Sequence, residues 1–230
     1  MPSESKSFPP LLVPSTVLKA SVVSGGWLWT QIVVVYGLIL VSIWTPQGIA
    51  KIILMLAAAI ALLIFAGDGS YSWREMGLGL PSARAWLVAL AAGMALAVSV
   101  PMISRLVGLN VAPFRSLSLQ QSWRYAIWSL EQEFILQSFL FLRLETLTRS
   151  RHAVLWAAAL FSLAHLPSPI LTVLSLIGGL VFCEIFRRYR NIYPLGVIHA
   201  VLGLTIAGSF SDRWLHHMRV GIGYLTFHLR

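Results

Sequence analysis

The sequence contains little charge and almost no cysteine. Charged residues make up 11% of the 230 residues, whereas 57% are hydrophobic and the mean hydropathy is +0.79. Cys183 is the only cysteine, which excludes an internal disulfide and any metal cluster held by thiolates. No repeat, low-complexity tract or long linker divides the chain. This composition predicts an integral membrane protein with a single domain over residues 1–230.

Seven apolar stretches have the length, or nearly the length, of a membrane helix. A helix needs about 20 residues to cross about 30 Å of hydrocarbon. The stretches cover residues 20–44, 49–66, 86–107, 123–147, 152–166, 170–186 and 192–210. We therefore predict an all-α polytopic membrane helix bundle with about seven transmembrane helices. Six or eight helices stay open as alternatives, because the fifth stretch is short and the tail at 214–229 is ambiguous.

The basic residues lie mostly between the apolar stretches. In a soluble protein, a net charge of +9 would suggest nucleic acid as the partner. At the ends of membrane helices such residues instead set orientation against an anionic lipid surface. We therefore expect a lipid bilayer and no nucleic acid as partner. A slight excess on one side predicts a cytoplasmic N-terminus; this count includes Arg143, Arg149 and Arg151.

Four ionisable side chains fall within predicted membrane helices: Glu131, Glu133, His165 and His199. A charged group at mid-membrane is unfavourable by at least about 2.5 to 3.5 kcal/mol on insertion scales, so such residues commonly serve a function. On a regular helix Glu131 and Glu133 point about 200° apart. Glu133 shares its face with Gln137, one turn later, whereas the face of Glu131 is apolar. Glu133 is therefore the better chemical candidate.

The two histidines lie near helix ends. Phe161 and His165 share a face at the end of the fifth predicted helix, where Pro167 prevents continuation. His199 lies about two turns into the last predicted helix, after a start signal at Pro194. A lone histidine in a helix is more often a packing residue than a catalyst. Two histidines together with a glutamate in a third helix favour a functional site.

One glutamate and two histidines can hydrolyse a peptide bond in more than one way. A glutamate held away from water can act as general base and then as general acid, while imidazoles orient the water or donate to the oxyanion. The same set could ligate zinc, although no H-E-x-x-H motif occurs. A serine-type G-x-S-G turn is also absent, and the aspartates Asp68 and Asp212 lie near predicted helix ends. We predict a hydrolase without metal or cofactor.

Two further polar groups are predicted to be structural. Glu184 and Arg187 lie three residues apart near the end of the sixth predicted helix, a spacing typical of an interfacial ion pair. His216 and His217 follow Trp214 in the tail, at an expected membrane interface where aromatic and basic residues anchor helices. Neither group is expected to take part in chemistry.

The candidate residues resemble the motifs of the CPBP family, the CAAX proteases and bacteriocin-processing enzymes also called the Abi family. The resemblance covers about residues 123–209, and the family's motifs are E-E-x-x-x-R, F-x-x-x-H and H-x-x-x-N or H-x-x-x-D. Phe161 and His165 match the second motif in full, His199 begins the third, and Glu133 aligns with the second glutamate of the first. Three positions depart from the motifs: Gln132 replaces the first glutamate, Gln137 the arginine and Gly203 the Asn or Asp.

The resemblance implies a four-helix catalytic core and a glutamic-type intramembrane endopeptidase. It also implies that the first motif glutamate activates water; with Gln132 there, Glu131 could compensate if a π-bulge changed the helix. The expected substrate is a membrane-anchored or C-terminally tagged protein, and the expected location is a bacterial cytoplasmic (inner) membrane. Two alternatives stay open: a non-proteolytic family member acting as scaffold, regulator or immunity protein, and a proton-coupled carrier.

Overall fold

The computed structural model describes residues 24–109, 118–148 and 151–227, and these residues form a helical bundle. Residues 20–23 of the first predicted helix, Arg149 and the last residues of the tail lie outside this description. The described residues form seven long helical segments. They are α1 (Gly25–Trp44), α2 (Ile49–Ala66), α3 (Ala83–Leu106), a continuous rod of α4 (Leu119–Glu133), a π-helix (Phe134–Phe141) and α5 (Leu142–Thr148), then α6 (Arg151–Leu163), α7 (Pro169–Tyr189) and α8 (Tyr193–Ser209).

The tail does not form an eighth long helix within the described residues. It folds into α9 (Asp212–Leu215), a 3-10 turn (His216–Met218) and α10 (Ile222–Leu225). His216 stacks on Tyr224 with 4.0 Å between ring centroids, and its Nδ1 donates to the Tyr224 carbonyl at 2.9 Å. His217 Nδ1 lies 3.0 Å from a carboxylate oxygen of Asp212. These contacts are internal to the tail and tie its short helices together.

Length and apolar surface make this bundle an integral membrane protein. α1, α2, α3 and α7 are long and apolar enough to cross a membrane, while α6 and α8 are apolar but shorter. α2 leaves large apolar side chains exposed along its length, a surface that lipid would cover; they are Ile49, Ile52, Ile53, Leu56, Ile60, Leu63 and Ile64. The predicted all-α polytopic bundle is therefore confirmed.

Small residues bring the helices of the motif region close together. A side chain carbon on Gly196 of α8 would lie 2.8 Å from Leu130 of α4. One on Gly179 of α7 would lie 3.2 Å from the Cα of Ala158 on α6. Glycine at such positions lets helix backbones approach each other closely, as is common in membrane proteins. As a result α4 packs on α8 and α6 packs on α7.

Local signals set the ends of these helices. Ser118 forms a capping box at the start of α4, and Pro194 lies in the first turn of α8, as predicted. Near the end of α7, Arg187 Nε donates to Glu184 at 2.8 Å, which confirms the predicted ion pair. These local features mark the start of α4, the start of α8 and the end of α7.

The π-helix Phe134–Phe141 begins directly after Glu133. Because Glu131 and Glu133 both lie in the preceding regular helix, the irregularity does not bring them onto one face. It changes instead how the following residues are presented, and those from Leu136 to Phe141 are all buried. π-Helical segments are frequent at functional sites, where they adjust the direction of side chains.

Arg143 lies inside the bundle and not at its surface, which corrects the charge count. Its side chain is fully buried and donates to Gln31 Oε1 at 2.6 Å and to the Phe65 carbonyl at 2.8 Å. Gln31 in turn donates to Asp68 Oδ2 at 2.8 Å. A buried guanidinium held by such a network is not a loop charge. Arg143 therefore gives no information on membrane orientation.

Candidate active site

Glu133 and His199 form a buried hydrogen-bonded pair between α4 and α8. Glu133 is fully buried, and its Oε1 lies 2.8 Å from His199 Nδ1. Its Oε2 accepts a hydrogen bond from Gln137 Nε2 at 3.1 Å, so the predicted shared face of these two residues is observed. A carboxylate only accepts, so the Nδ1 proton of His199 is directed to Glu133. In the neutral ring, Nε2 of His199 is then left as an acceptor.

His165 lies in the turn just beyond α6, which ends at Leu163. Its Nδ1 donates to the carbonyl of Phe161 at 2.7 Å, and the two rings meet edge to face at 4.8 Å. The Phe161 ring also lies edge to face with the His199 ring at 6.0 Å. Phe161 therefore packs between the two histidines. Since a carbonyl oxygen only accepts, the neutral His165 ring also has Nε2 as its acceptor.

Both histidines line one cavity of about 830 Å³. Its walls are mainly apolar, and part of its boundary comes from the tail, whose Gly221 N–H donates to the Leu166 carbonyl at 2.7 Å. Lys51 and Arg219 also line the cavity, whereas no Asp or Glu is found among its described lining residues. Such a volume is in the range that proteins use to enclose small ligands or short peptide segments.

One face of α4 forms a wall of this cavity through Tyr125, Trp128 and Gln132. Their spacing of three and four residues places them on one side of a helix. Gln132 Oε1 is buried and accepts no hydrogen bond from the described residues. Glu131 is exposed and Glu133 is buried behind His199, so neither carboxylate is part of the described lining. The side chains with polar groups that α4 contributes to the lining are the amide of Gln132, the phenol of Tyr125 and the indole of Trp128.

Gly203 lies one turn after His199 on α8 and also lines the cavity. Its backbone is covered by the ring of Tyr125, and His199 is flanked on another side by Phe182 with 5.8 Å between ring centroids. The sequence analysis missed Tyr125. The signal that could have found it is its distance of seven residues, two helical turns, from Gln132.

The potential metal ligands among the described residues do not form a metal-binding site. Within residues 24–109, 118–148 and 151–227, no group of three His, Cys, Asp or Glu side chains is placed to hold a metal ion. Glu133 is bonded to the Nδ1 side of the His199 ring and therefore stands behind this histidine. It is placed to orient the imidazole, as carboxylates commonly do for catalytic histidines.

A family model described as type II CAAX prenyl endopeptidase Rce1-like matches residues 119–205. This family model is one of the CPBP family. The matched range contains the whole of the α4 face and both histidines. At family level the match supports a CAAX-type intramembrane protease, and that family implies a membrane-anchored peptide or protein as substrate. Searches of curated proteins and of solved structures gave no significant match.

The CPBP motif positions lie around the cavity. Some of them line it, and the others are buried behind the lining residues. The second-motif and third-motif histidines, His165 and His199, line it, and so does Gln132 at the place of the first motif glutamate. Glu133, at the second glutamate, and Gln137, at the arginine, form the buried layer behind them. At Gln132, the cavity lining therefore has an amide where the CPBP motif has a carboxylate.

Proposed function

We propose that the chain is an intramembrane endopeptidase that hydrolyses a peptide bond of a membrane-anchored or C-terminally tagged protein. The sequence predicts a glutamate that activates the water itself; in the proposal Glu133 acts through His199 instead. The observation that carries this proposal is the Glu133–His199 hydrogen bond at a cavity that His165 also lines. In this proposal His199 and His165 touch the reacting water, and Glu133 acts through His199. Glu131 is exposed and has no direct step. The proposed setting is the bacterial cytoplasmic membrane, where family members process C-terminal sorting signals.

The proposed first step adds water to the scissile carbonyl. The water oxygen forms a bond to the carbonyl carbon, one water proton passes to Nε2 of His199, and the π electrons move onto the carbonyl oxygen. Glu133 stabilises the imidazolium and keeps Nε2 directed at the cavity, a role that orienting carboxylates have in other hydrolases. Nε2 of His165 accepts the second hydrogen of the water and orients it.

The proposed second step releases the amine. The oxyanion re-forms the carbonyl, the C–N bond breaks, and the leaving nitrogen takes the proton from Nε2 of His199. Glu133 and both histidines return to their starting states, so one water is consumed for each bond broken. No metal or covalent intermediate is required, because the acid and base are the same imidazole in two protonation states.

The proposed function can be tested by measuring peptide cleavage by the purified protein in liposomes. Two probes are suitable: a farnesylated peptide ending in a CAAX sequence and a single-span peptide with a C-terminal extension. His165→Gln and His199→Gln should each lower the cleavage rate by about 10² to 10⁴, the usual contribution of a general acid or base. His152→Gln is the matched control, because His152 is exposed and does not line the cavity. Full cleavage by both site variants would contradict the proposal.

A second candidate is a CPBP member that does not cleave. The observation favouring it is the amide of Gln132 at the cavity wall, where the motif has a carboxylate. Gln132→Glu distinguishes the two functions with the same probes. Cleavage by wild type excludes this candidate, whereas cleavage only after Gln132→Glu supports it.

A further inference from the structure

Tyr125 occupies the space that a side chain at position 203 would need. A carbon added to Gly203 would collide with the hydroxyl oxygen and with the neighbouring ring carbons Cζ and Cε1 of Tyr125. The phenol hydroxyl therefore lies directly against the α8 backbone at Gly203. Gly203 follows His199 by one helical turn on the same face, and all three residues line the cavity.

The proposed mechanism starts from neutral histidines, and neutral rings held in this way have no N–H left to offer to a substrate oxygen. The Nδ1 proton of His199 is directed to Glu133, and that of His165 to the Phe161 carbonyl. Their Nε2 atoms are acceptors in these neutral rings. Hydrolysis of an amide nevertheless requires donors at the oxygen on which negative charge develops. Another group at the cavity has to supply such a donor, and Tyr125 is the lining residue whose hydroxyl lies against the helix that carries His199.

Tyr125 has a proton to donate in this place. Ser129 is its polar side-chain neighbour, and the Ser129 hydroxyl donates to the main-chain carbonyl of Tyr125 at 2.9 Å. Because the Ser129 proton is already donated, the phenol meets Ser129 as a donor to a neutral hydroxyl. An oxyanion is a stronger acceptor than a neutral hydroxyl, because hydrogen bonds to charged groups are about twice as strong.

We propose that Tyr125 is a catalytic residue that donates its phenol hydrogen bond to the oxyanion, in place of the side chain missing at Gly203. The inference rests on the proposed function and extends it by a residue outside the family's three motifs. When water adds to the carbonyl carbon, the π electrons move to the carbonyl oxygen and Tyr125 Oη–H hydrogen-bonds this oxygen. The phenol keeps its proton throughout, so the proton balance through His199 is unchanged.

Removing only the hydroxyl tests the proposal. Tyr125→Phe should lower kcat by about 10² to 10³, the usual effect of losing one oxyanion donor, with KM changed by no more than a few fold. Tyr193→Phe is the matched control, because Tyr193 is exposed and lies outside the cavity lining. Equal melting temperatures in detergent for wild type and Tyr125→Phe establish that the fold is retained.

A second experiment places a hydrogen-bond donor at position 203 instead of at Tyr125. Gly203→Asn alone should be inactive, because its side chain collides with the Tyr125 ring. Tyr125→Ala combined with Gly203→Asn should cleave at least about tenfold faster than Tyr125→Ala alone, because the amide supplies a donor. The combination with Gly203→Ala restores bulk without a donor and should give no such gain.

The outcomes separate this inference from the function on which it rests. Wild-type kcat in Tyr125→Phe, or equal recovery by the Ala and Asn combinations, overturns the role of Tyr125 while proteolysis stands. A wild-type chain that cleaves neither probe contradicts the proposed function and the role of Tyr125 with it.

Discussion

Glu131 and Glu133 are two positions apart and have opposite surroundings. Glu131 is exposed, whereas Glu133 is fully buried and bonded through both carboxylate oxygens. The helical period explains this difference, since residues two apart point to nearly opposite sides. The buried carboxylate of Glu133 is hydrogen-bonded by Gln137 and His199. Buried charged groups in proteins are generally paired or hydrogen-bonded in this way.

A second buried charged group, Arg143, gives a prediction on stability. Arg143→Leu removes the donor to Gln31 and leaves a buried amide oxygen unsatisfied. We expect a loss of about 3 kcal/mol in unfolding free energy, the usual range when one member of a buried charged network is removed. Melting in detergent measures this loss. Arg151→Leu is the exposed control, and equal melting temperatures for the two variants would refute a stabilising role for Arg143.

At the scale of helices, composition predicts most of what is observed. The predicted range 49–66 has the same bounds as α2, and the other predicted ranges overlap their helices. This agreement is expected, because the length of an apolar stretch can be recognised from the sequence alone. The π-helix after Glu133 has no comparable signature. The burial of Arg143 was not predicted either, because an arginine next to an apolar stretch usually marks the end of a membrane helix. The spacing of Tyr125 from Gln132 could have indicated a shared helix face, but not its contact with Gly203, which depends on the packing of α8.

Packing between α6 and α7 gives a prediction at this scale. Gly179→Leu should destabilise the protein by about 1 to 3 kcal/mol, because its side chain meets the Ala158 backbone and the core cannot expand freely. Gly178→Leu is the matched control: nothing lies within 4 Å of a carbon added there. Its melting temperature should equal or exceed that of wild type, since leucine favours a helix over glycine. A reversed order would show that α6 and α7 do not pack as described.

The whole molecule extends beyond the matched family region. Residues 119–205 contain both histidines, while α1 and α2 contribute Gln31 to the Arg143 network and Lys51 to the cavity wall. The tail covers the cavity from another side. The outward faces are apolar and the Glu133–His199 pair is held inside, an arrangement that suits a polar reaction in a membrane. The complete cavity therefore depends on helices outside the family core.

The donor arrangement of the described residues predicts activity without a metal ion. Glu133 is fully buried behind the His199 ring and does not line the cavity, so it is not placed to join His165 and His199 around one zinc ion there. We expect chelators to leave cleavage unchanged and elemental analysis to find no stoichiometric zinc. One zinc per chain, lost together with activity on chelation, would replace the acid-base mechanism by metal catalysis.

The most direct test of the account compares Glu133→Gln with Glu131→Gln in the same cleavage assay. Glu133→Gln keeps the shape but removes the charge that orients His199 and stabilises its imidazolium, so the rate should fall by about 10² to 10⁴. Glu131→Gln should retain most of the activity, because Glu131 is exposed and outside the cavity lining. An inactive Glu131→Gln beside a fully active Glu133→Gln would contradict the central claim.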